Sequence, residues 1–108
     1  MSKANDANGH RWRIARERVR ARGDGCWICR VFGRPDAIDY SLSATHPMSF
    51  EADHLVPVSK GGAMFDPENL AAAHRACNNW RKNRSVAEVL ALARAARSSP
   101  SVAPTSEW

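Results

Sequence analysis

A chain of 108 residues with a net charge of +5 allows one domain with a modest core, and domains of this size often need a metal or disulfide clamp. No stretch approaches the roughly 20 apolar residues of a membrane-spanning helix, which excludes such a helix within these residues. Three cysteines cannot all pair within the chain, which excludes a complete disulfide framework.

Residues 1–9, MSKANDANG, are polar without an apolar period and are expected to form a disordered tail. They hold no apolar signal-peptide core, so a cytoplasmic location is expected. Residues 10–22, HRWRIARERVRAR, lack Gly and Pro and predict a basic helix stopped by Gly23. At 100° per residue Trp12, Ala15 and Val19 share one face, while Arg13, Arg16 and Arg20 gather on an adjoining one. Those arginines are either a solvated face or a set of phosphate contacts. GDGCWICR reads as a tight turn presenting two cysteines, and 31–50 as loop with short extended pieces, broken by Pro35 and Pro47. Residues 51–58, EADHLVPV, predict a short strand that ends in the turn SKGG at 59–62. Residues 63–73 read as loop or a second short strand. From His74, HRACNNWRKNR is free of breakers and predicts a helix. Ser85 with Glu88 forms a capping box before VAEVLALARAAR, a last helix over 85–97 with Val86, Val89, Leu90 and Ala93 on one side. Residues 98–108, rich in Ser and Pro, complete the picture as a second disordered tail.

Charge is unevenly spread. Residues 1–34 sum to +6, residues 35–80 to −4 and residues 81–108 to +3. Two basic flanks around an acidic centre suit a protein that holds a polyanion at its flanks and a cation at its middle. The alternative is ordinary solvated helix surface.

Cys26 and Cys29 are two ligands with two residues between them, and His74 and Cys77 repeat that gap. Tetrahedral zinc favours thiolate and imidazole, and each short gap lets one turn or helix start present both donors to one ion. The four make a Cys3His site that uses every cysteine and leaves no open position, so its role would be structural. The competing reading is a redox pair at Cys26 and Cys29, which would have no need of His74 or Cys77.

Asp53-His54, the glycines at 61–62, Asn69-Leu70, the His74/Cys77 pair and Asn78 then follow in order. The run DHLVPVSKGG…ENLAAAHRACNNWRKNR resembles the motif of the HNH (ββα-metal) endonucleases, in the form elaborated by a zinc-binding C-x-x-C. The resemblance covers roughly residues 26–84, and the chain as a whole is similar to the short HNH proteins of phages and actinobacteria. It implies an α+β fold, a small ββα-metal domain stapled by zinc with flanking helices, spanning 10–97. It further implies a DNA endonuclease in which His54 is the general base and Asn69 holds the loop and orients the His54 ring. Asp53 and Asn78 (or its neighbour Asn79, if the helix register differs by one) would ligate a catalytic divalent ion. Two positions depart from the commoner pattern, His74 where many relatives have Cys and Asn78 where many have His. An amide oxygen is a harder donor than imidazole, so Mg²⁺ or Mn²⁺ is expected over Ni²⁺ or Zn²⁺. Arg13, Arg16, Arg20, Arg81, Lys82 and Arg84 are the candidate phosphate contacts. Trp27 and Trp80 are expected to pack around the zinc, and Trp12 to anchor the first helix. His10 and His46 are weaker site candidates. Family members of this length are associated with genome packaging, which adds a phage terminase or a second copy of the chain as candidate partners. A non-catalytic zinc-knuckle adaptor remains the alternative function.

Overall fold

The computed structural model describes residues 3–98, and the side chains of 8–98. Helix α1 spans Lys3–Ala21 and is followed by a five-residue helix α2, Trp27–Val31. Strands β1 (Phe50–His54) and β2 (Leu70–His74) form a two-stranded antiparallel sheet, with Phe50 opposite His74 and His54 opposite Leu70. Helix α3, Arg75–Arg81, starts on the residue after β2, and α4 covers Val86–Arg97. The α+β class is as expected, and β1, β2 and α3 give the ββα order.

The sheet divides the molecule into two layers because side chains alternate along a strand. Phe50, Ala52, Leu70 and Ala72 face α1, where they bury Ala15 and Val19. Ala73 faces the other way and packs with Ile28, Cys26, Cys29 and Cys77 from α2 and α3. Neither cluster is large. Among the described residues the large fully buried aliphatic side chains are Val19, Ile28 and Leu70 in these clusters and Val89 in α4, each contributing about 1.5–3 kcal/mol, so a metal clamp between the layers has much to add.

Several boundaries differ from the sequence expectation. The first helix begins at Lys3 rather than at 10, so residues 3–9 are helical and not a tail. Extending a helix already nucleated over 10–21 costs far less than starting one, and polar residues do not prevent it. It ends before Gly23 as expected, with Gly23 at φ +67°. β1 stops at His54 rather than 58, because Leu55 bonds the Asn69 carbonyl, Val56 bonds the Asn69 side chain, and Pro57 has no N–H to offer. The C-x-x-C turn is the start of α2, with Cys26 Sγ accepting from the Cys29 N–H in place of a usual cap. In α4 the capping box of Ser85 and Glu88 is present on both sides. Its buried face is narrower than expected, Val89 and Ala93, with Leu90 37% exposed. Ser98 caps α4; the rest of the expected C-terminal tail, like residues 1 and 2, lies outside the described residues.

Candidate active site and metal centre

Among the described residues, Cys26, Cys29, His74 and Cys77 form a buried group able to hold a metal, with all ligand atoms within 4.8 Å of one another. The start of α2 supplies the first pair. The β2–α3 junction supplies the second, His74 being the N-cap residue of α3. The donor set fits zinc. Cys29 Sγ lies 3.6 Å from Cys77 Sγ and 3.4 Å from His74 Nδ1, and Cys77 Sγ lies 3.9 Å from the same nitrogen. Tetrahedral bonds of about 2.0–2.3 Å place neighbouring ligands roughly 3.4–3.8 Å apart. On its far side, His74 Nε2 is 3.0 Å from the Ala37 carbonyl. A carbonyl only accepts, so Nε2 carries the proton and Nδ1 turns its lone pair toward the thiols.

One thiol is poised to lose its proton by itself, and the other two only together with a cation. The hydrogen bond from Cys77 pushes Cys26 down to about 5, and that same bond, with burial, pushes Cys77 up. Burial and the charge of Cys26 raise Cys29. A second thiolate in this space is costly without a positive ion between them. Burial pushes the Arg34 guanidinium beside the group down, against the thiolate charges that favour its charged form. A zinc with three thiolates would carry a net negative charge, which this guanidinium would offset.

The end of β1 is a different environment. The strand keeps a regular ladder through His54, so Asp53 and His54 point to opposite faces. Asp53 turns to α2 and α3. Its Oδ2 accepts from Trp27 Nε1 at 2.9 Å and from Arg81 Nη1 at 2.7 Å. Both bonds converge on Oδ2, and among the described residues none is seen on Oδ1. Burial pushes the Asp53 carboxyl up, against the pull of the Trp27 and Arg81 bonds. Arg81 is 1% exposed. It also donates to the His54 and Leu55 carbonyls and, through Nε, to the Arg84 carbonyl. The expectation of Arg81 as a phosphate contact is therefore corrected: it is an internal tie between α3 and the end of β1. Helical spacing carried the signal, since Arg81 is one turn beyond the buried ligand Cys77.

His54 turns to α1. Its ring stacks on the Trp12 indole, centroids 5.2 Å apart at 23°, and Nε2 lies 3.0 Å from the Met64 carbonyl. By the same reasoning as for His74, Nε2 is the protonated nitrogen and Nδ1 keeps a lone pair. Asn69 makes no bond to that ring. Its Oδ1 accepts from Val56 N, and its Nδ2 donates to the Val56 and Ala63 carbonyls. It holds the 55–65 loop shut, and the loop in turn brings the Met64 carbonyl to His54. The glycine pair serves this closure. A Cβ on Gly62 would fall 1.8 Å from the Val56 oxygen, and Gly61 has φ +89°, a region that favours glycine.

Asn78 lies on the Asp53 face of the sheet. Its Nδ2 donates to Glu51 Oε1 at 2.9 Å, which leaves the amide oxygen as the free end; Asn79 is exposed. Glu51 also faces Arg75 at 3.5 Å. Sequence reasoning passed over Glu51, though it sits two residues before Asp53 and hence on the same strand face. A cleft of about 340 Å³ opens at the free edge of β1, between Trp12 and Arg16 of α1 and Asn78 of α3, with Glu51 in its wall. Among the other candidate phosphate contacts, Arg13 and Lys82 are exposed. Arg16 covers the Phe50 ring, Arg20 donates to the Tyr40 carbonyl, and Arg84 lies over Trp80. Trp27 and Trp80 pack beside the thiol cluster as expected. His10 and His46 are exposed, and His46 accepts from the Met48 N–H within its own turn.

The sequence model of the HNH endonuclease family matches residues 26–84, over half of the chain. Neither the curated proteins nor the solved structures gave a match.

Proposed function

Because the chain belongs to the HNH endonuclease family, we propose that it is a catalytically competent DNA nuclease, hydrolysing phosphodiester bonds at the end of β1 with His54 as the general base. The observation that carries this reading is the state of the His54 ring. The Met64 carbonyl holds Nε2–H, so Nδ1 presents a lone pair from a half-buried ring at a strand end. Proton removal from a water by such a group accelerates hydrolysis by about 10²–10⁴-fold. Imidazole is suited to it near neutral pH.

The residues for a divalent ion are Asp53, through Oδ1, and Asn78, through its amide oxygen. Trp27 and Arg81 fix the carboxylate from Oδ2, and Glu51 fixes the amide from Nδ2. Two hard oxygen donors suit Mg²⁺ or Mn²⁺, which would neutralise charge on the scissile phosphate and the leaving 3′ oxygen. Asn69 serves by closing the loop behind His54. Products would carry 5′-phosphate and 3′-hydroxyl ends, as the HNH resemblance implies. One site grips one strand, so a single copy would nick, and cutting both strands would need a second copy or a partner such as a terminase. Arg13 and Lys82 are the phosphate contacts we favour, since phosphate contacts position the duplex without reading its sequence. The Cys3His zinc has no open position and would act on the fold alone.

The adaptor reading draws on the burial of Asp53 in its pair with Arg81, which a purely structural carboxylate would also show. Nicking of supercoiled plasmid in Mg²⁺ separates the two. The nuclease reading expects His54→Ala to lose about 10²–10⁴-fold in rate while keeping its zinc and its fold. Equal nicking by wild type and variant would overturn it.

A further inference from the structure

We propose that Trp12 is a positioning residue for the general base, so that α1, outside the stretch that matches the family, is part of the catalytic unit. The inference rests on the reading of His54 as the base. It is carried by the stack of the indole on the imidazole, 5.2 Å between centroids and 23° between planes.

A histidine ring on a strand has two side-chain torsions to fix. Packing on the sheet face fixes the first. The second sets the ring plane and is broad for an imidazole. The Met64 carbonyl holds Nε2 at one point, but a ring hinged at one point still swings about it, and Nδ1 swings with it. A flat partner against the ring removes that freedom. The indole is such a partner, and the 23° tilt is close to an offset stack. Carbonyl and indole together define where the Nδ1 lone pair points.

The indole is itself delivered from a fixed support. Ala15 and Val19, three and seven residues on, are buried against the sheet. Arg22 then donates to the Leu70 and Pro67 carbonyls, and Arg20 to the Tyr40 carbonyl. Three side chains of α1 and the arginine just after it, over about two turns, thus hold the helix to the sheet and its flanking loops. Trp12 also walls the cleft at the β1 edge, opposite Asn78. A residue that merely filled the core would not need to lie flat on the base.

The test uses the full zinc-loaded chain with Trp12→Leu and Trp12→Phe. Rates of plasmid nicking are taken at saturating and limiting DNA, and the His54 ring protons are followed by NMR. In the wild type, the indole ring current should move those protons upfield of their ordinary positions; signals at ordinary positions would overturn the stack before any variant is made. Trp12→Leu should lower kcat about 10- to 100-fold, the scale of a misplaced catalytic group, with KM for DNA within about twofold, and should release the ring protons downfield. Trp12→Phe, which keeps a flat partner, should restore most of the rate. Wild-type kcat in a folded Trp12→Leu protein would overturn the proposal. So would equal losses in both variants that merely follow their melting temperatures. Undiminished nicking by His54→Ala, with the upfield signals still present in the wild type, would instead sink the assignment of the base.

Discussion

The Cys3His cluster and the end of β1 lie on one small sheet, yet they are built on opposite plans. At the cluster, four ligand atoms already converge within 4.8 Å, every ligand is buried, and the tautomer of His74 is set from behind by Ala37. At the end of β1 the groups expected to act together point to opposite faces, and each is held by a different support. Trp27 and Arg81 hold Asp53, Met64 and Trp12 hold His54, and Glu51 holds Asn78. A closed site fills every position around its ion from its own ligands. An open one is defined by what stands behind each ligand, because water and substrate must occupy the remaining positions.

The sharpest way to break that comparison is to remove the closed site. Cys77→Ser deletes one thiolate from a centre whose zinc affinity in comparable small folds is worth about 10–16 kcal/mol. Whole domains are stable by about 5–15 kcal/mol, so the variant should lose its zinc and its cooperative melt together, and a strong chelator should do the same to the wild type. Metal analysis with a circular-dichroism melt reads both. A zinc-free protein that still melts near the wild-type temperature would show the cluster to be dispensable, and the redox reading of Cys26 and Cys29 would return.

A smaller effect is expected at the tie between the two regions. Arg81→Met leaves Asp53 buried without its cation, and breaking a buried pair from one side costs about 3–5 kcal/mol. The pH dependence has a definite sign. A carboxyl raised by burial binds its proton more tightly folded than unfolded, so its contribution to stability declines as pH rises. Loss of Arg81 raises it further. The melting-temperature gap between variant and wild type should therefore narrow as pH is lowered from 8 toward 5. A gap that widens toward acid would mean that Asp53 is not the group left uncompensated.

These two variants also mark how far the sequence could be read. The four metal-ligand candidates are legible because each pair is local, with two residues between its members on one turn. The strand–strand–helix order was legible for a similar reason, though β1 was drawn four residues too long. What ends it is not a breaker at 55 but bonds arriving from Asn69, fourteen residues on. The sequence sets Arg81 among the candidate phosphate contacts because a cation on a basic segment suggests an exposed face. Its burial depends on carbonyls at 54, 55 and 84 and a carboxylate at 53 that only the folded chain brings to it. The start of α1 is hidden in the sequence because a polar segment without an apolar period looks the same whether it is a tail or the extension of a helix. The pairing of Trp12 with His54 lies beyond any local pattern, since 42 positions separate them.

The finest probe of the difference between the two regions is Trp27, which belongs to both. It stands between two zinc ligands and donates its Nε1–H to Asp53 Oδ2 at 2.9 Å. Phenylalanine would keep a ring beneath the Arg81 guanidinium, now 5.2 Å from the indole centroid, and delete the donor alone. A buried acceptor that loses one of two partners costs about 1–3 kcal/mol, so Trp27→Phe should melt modestly lower than the wild type with its zinc content unchanged. The larger signature should be in the open site. Removing an outer partner of a metal-binding carboxylate weakens the metal by about 10- to 100-fold, so the Mn²⁺ concentration for half-maximal nicking should rise on that scale. Titration of Mn²⁺ by paramagnetic resonance should move with it. Zinc lost along with Mn²⁺ would mean that the indole supports the closed site as well, and that the two regions are one structural unit rather than two. Unchanged Mn²⁺ binding would remove Asp53 from the ligands of the ion.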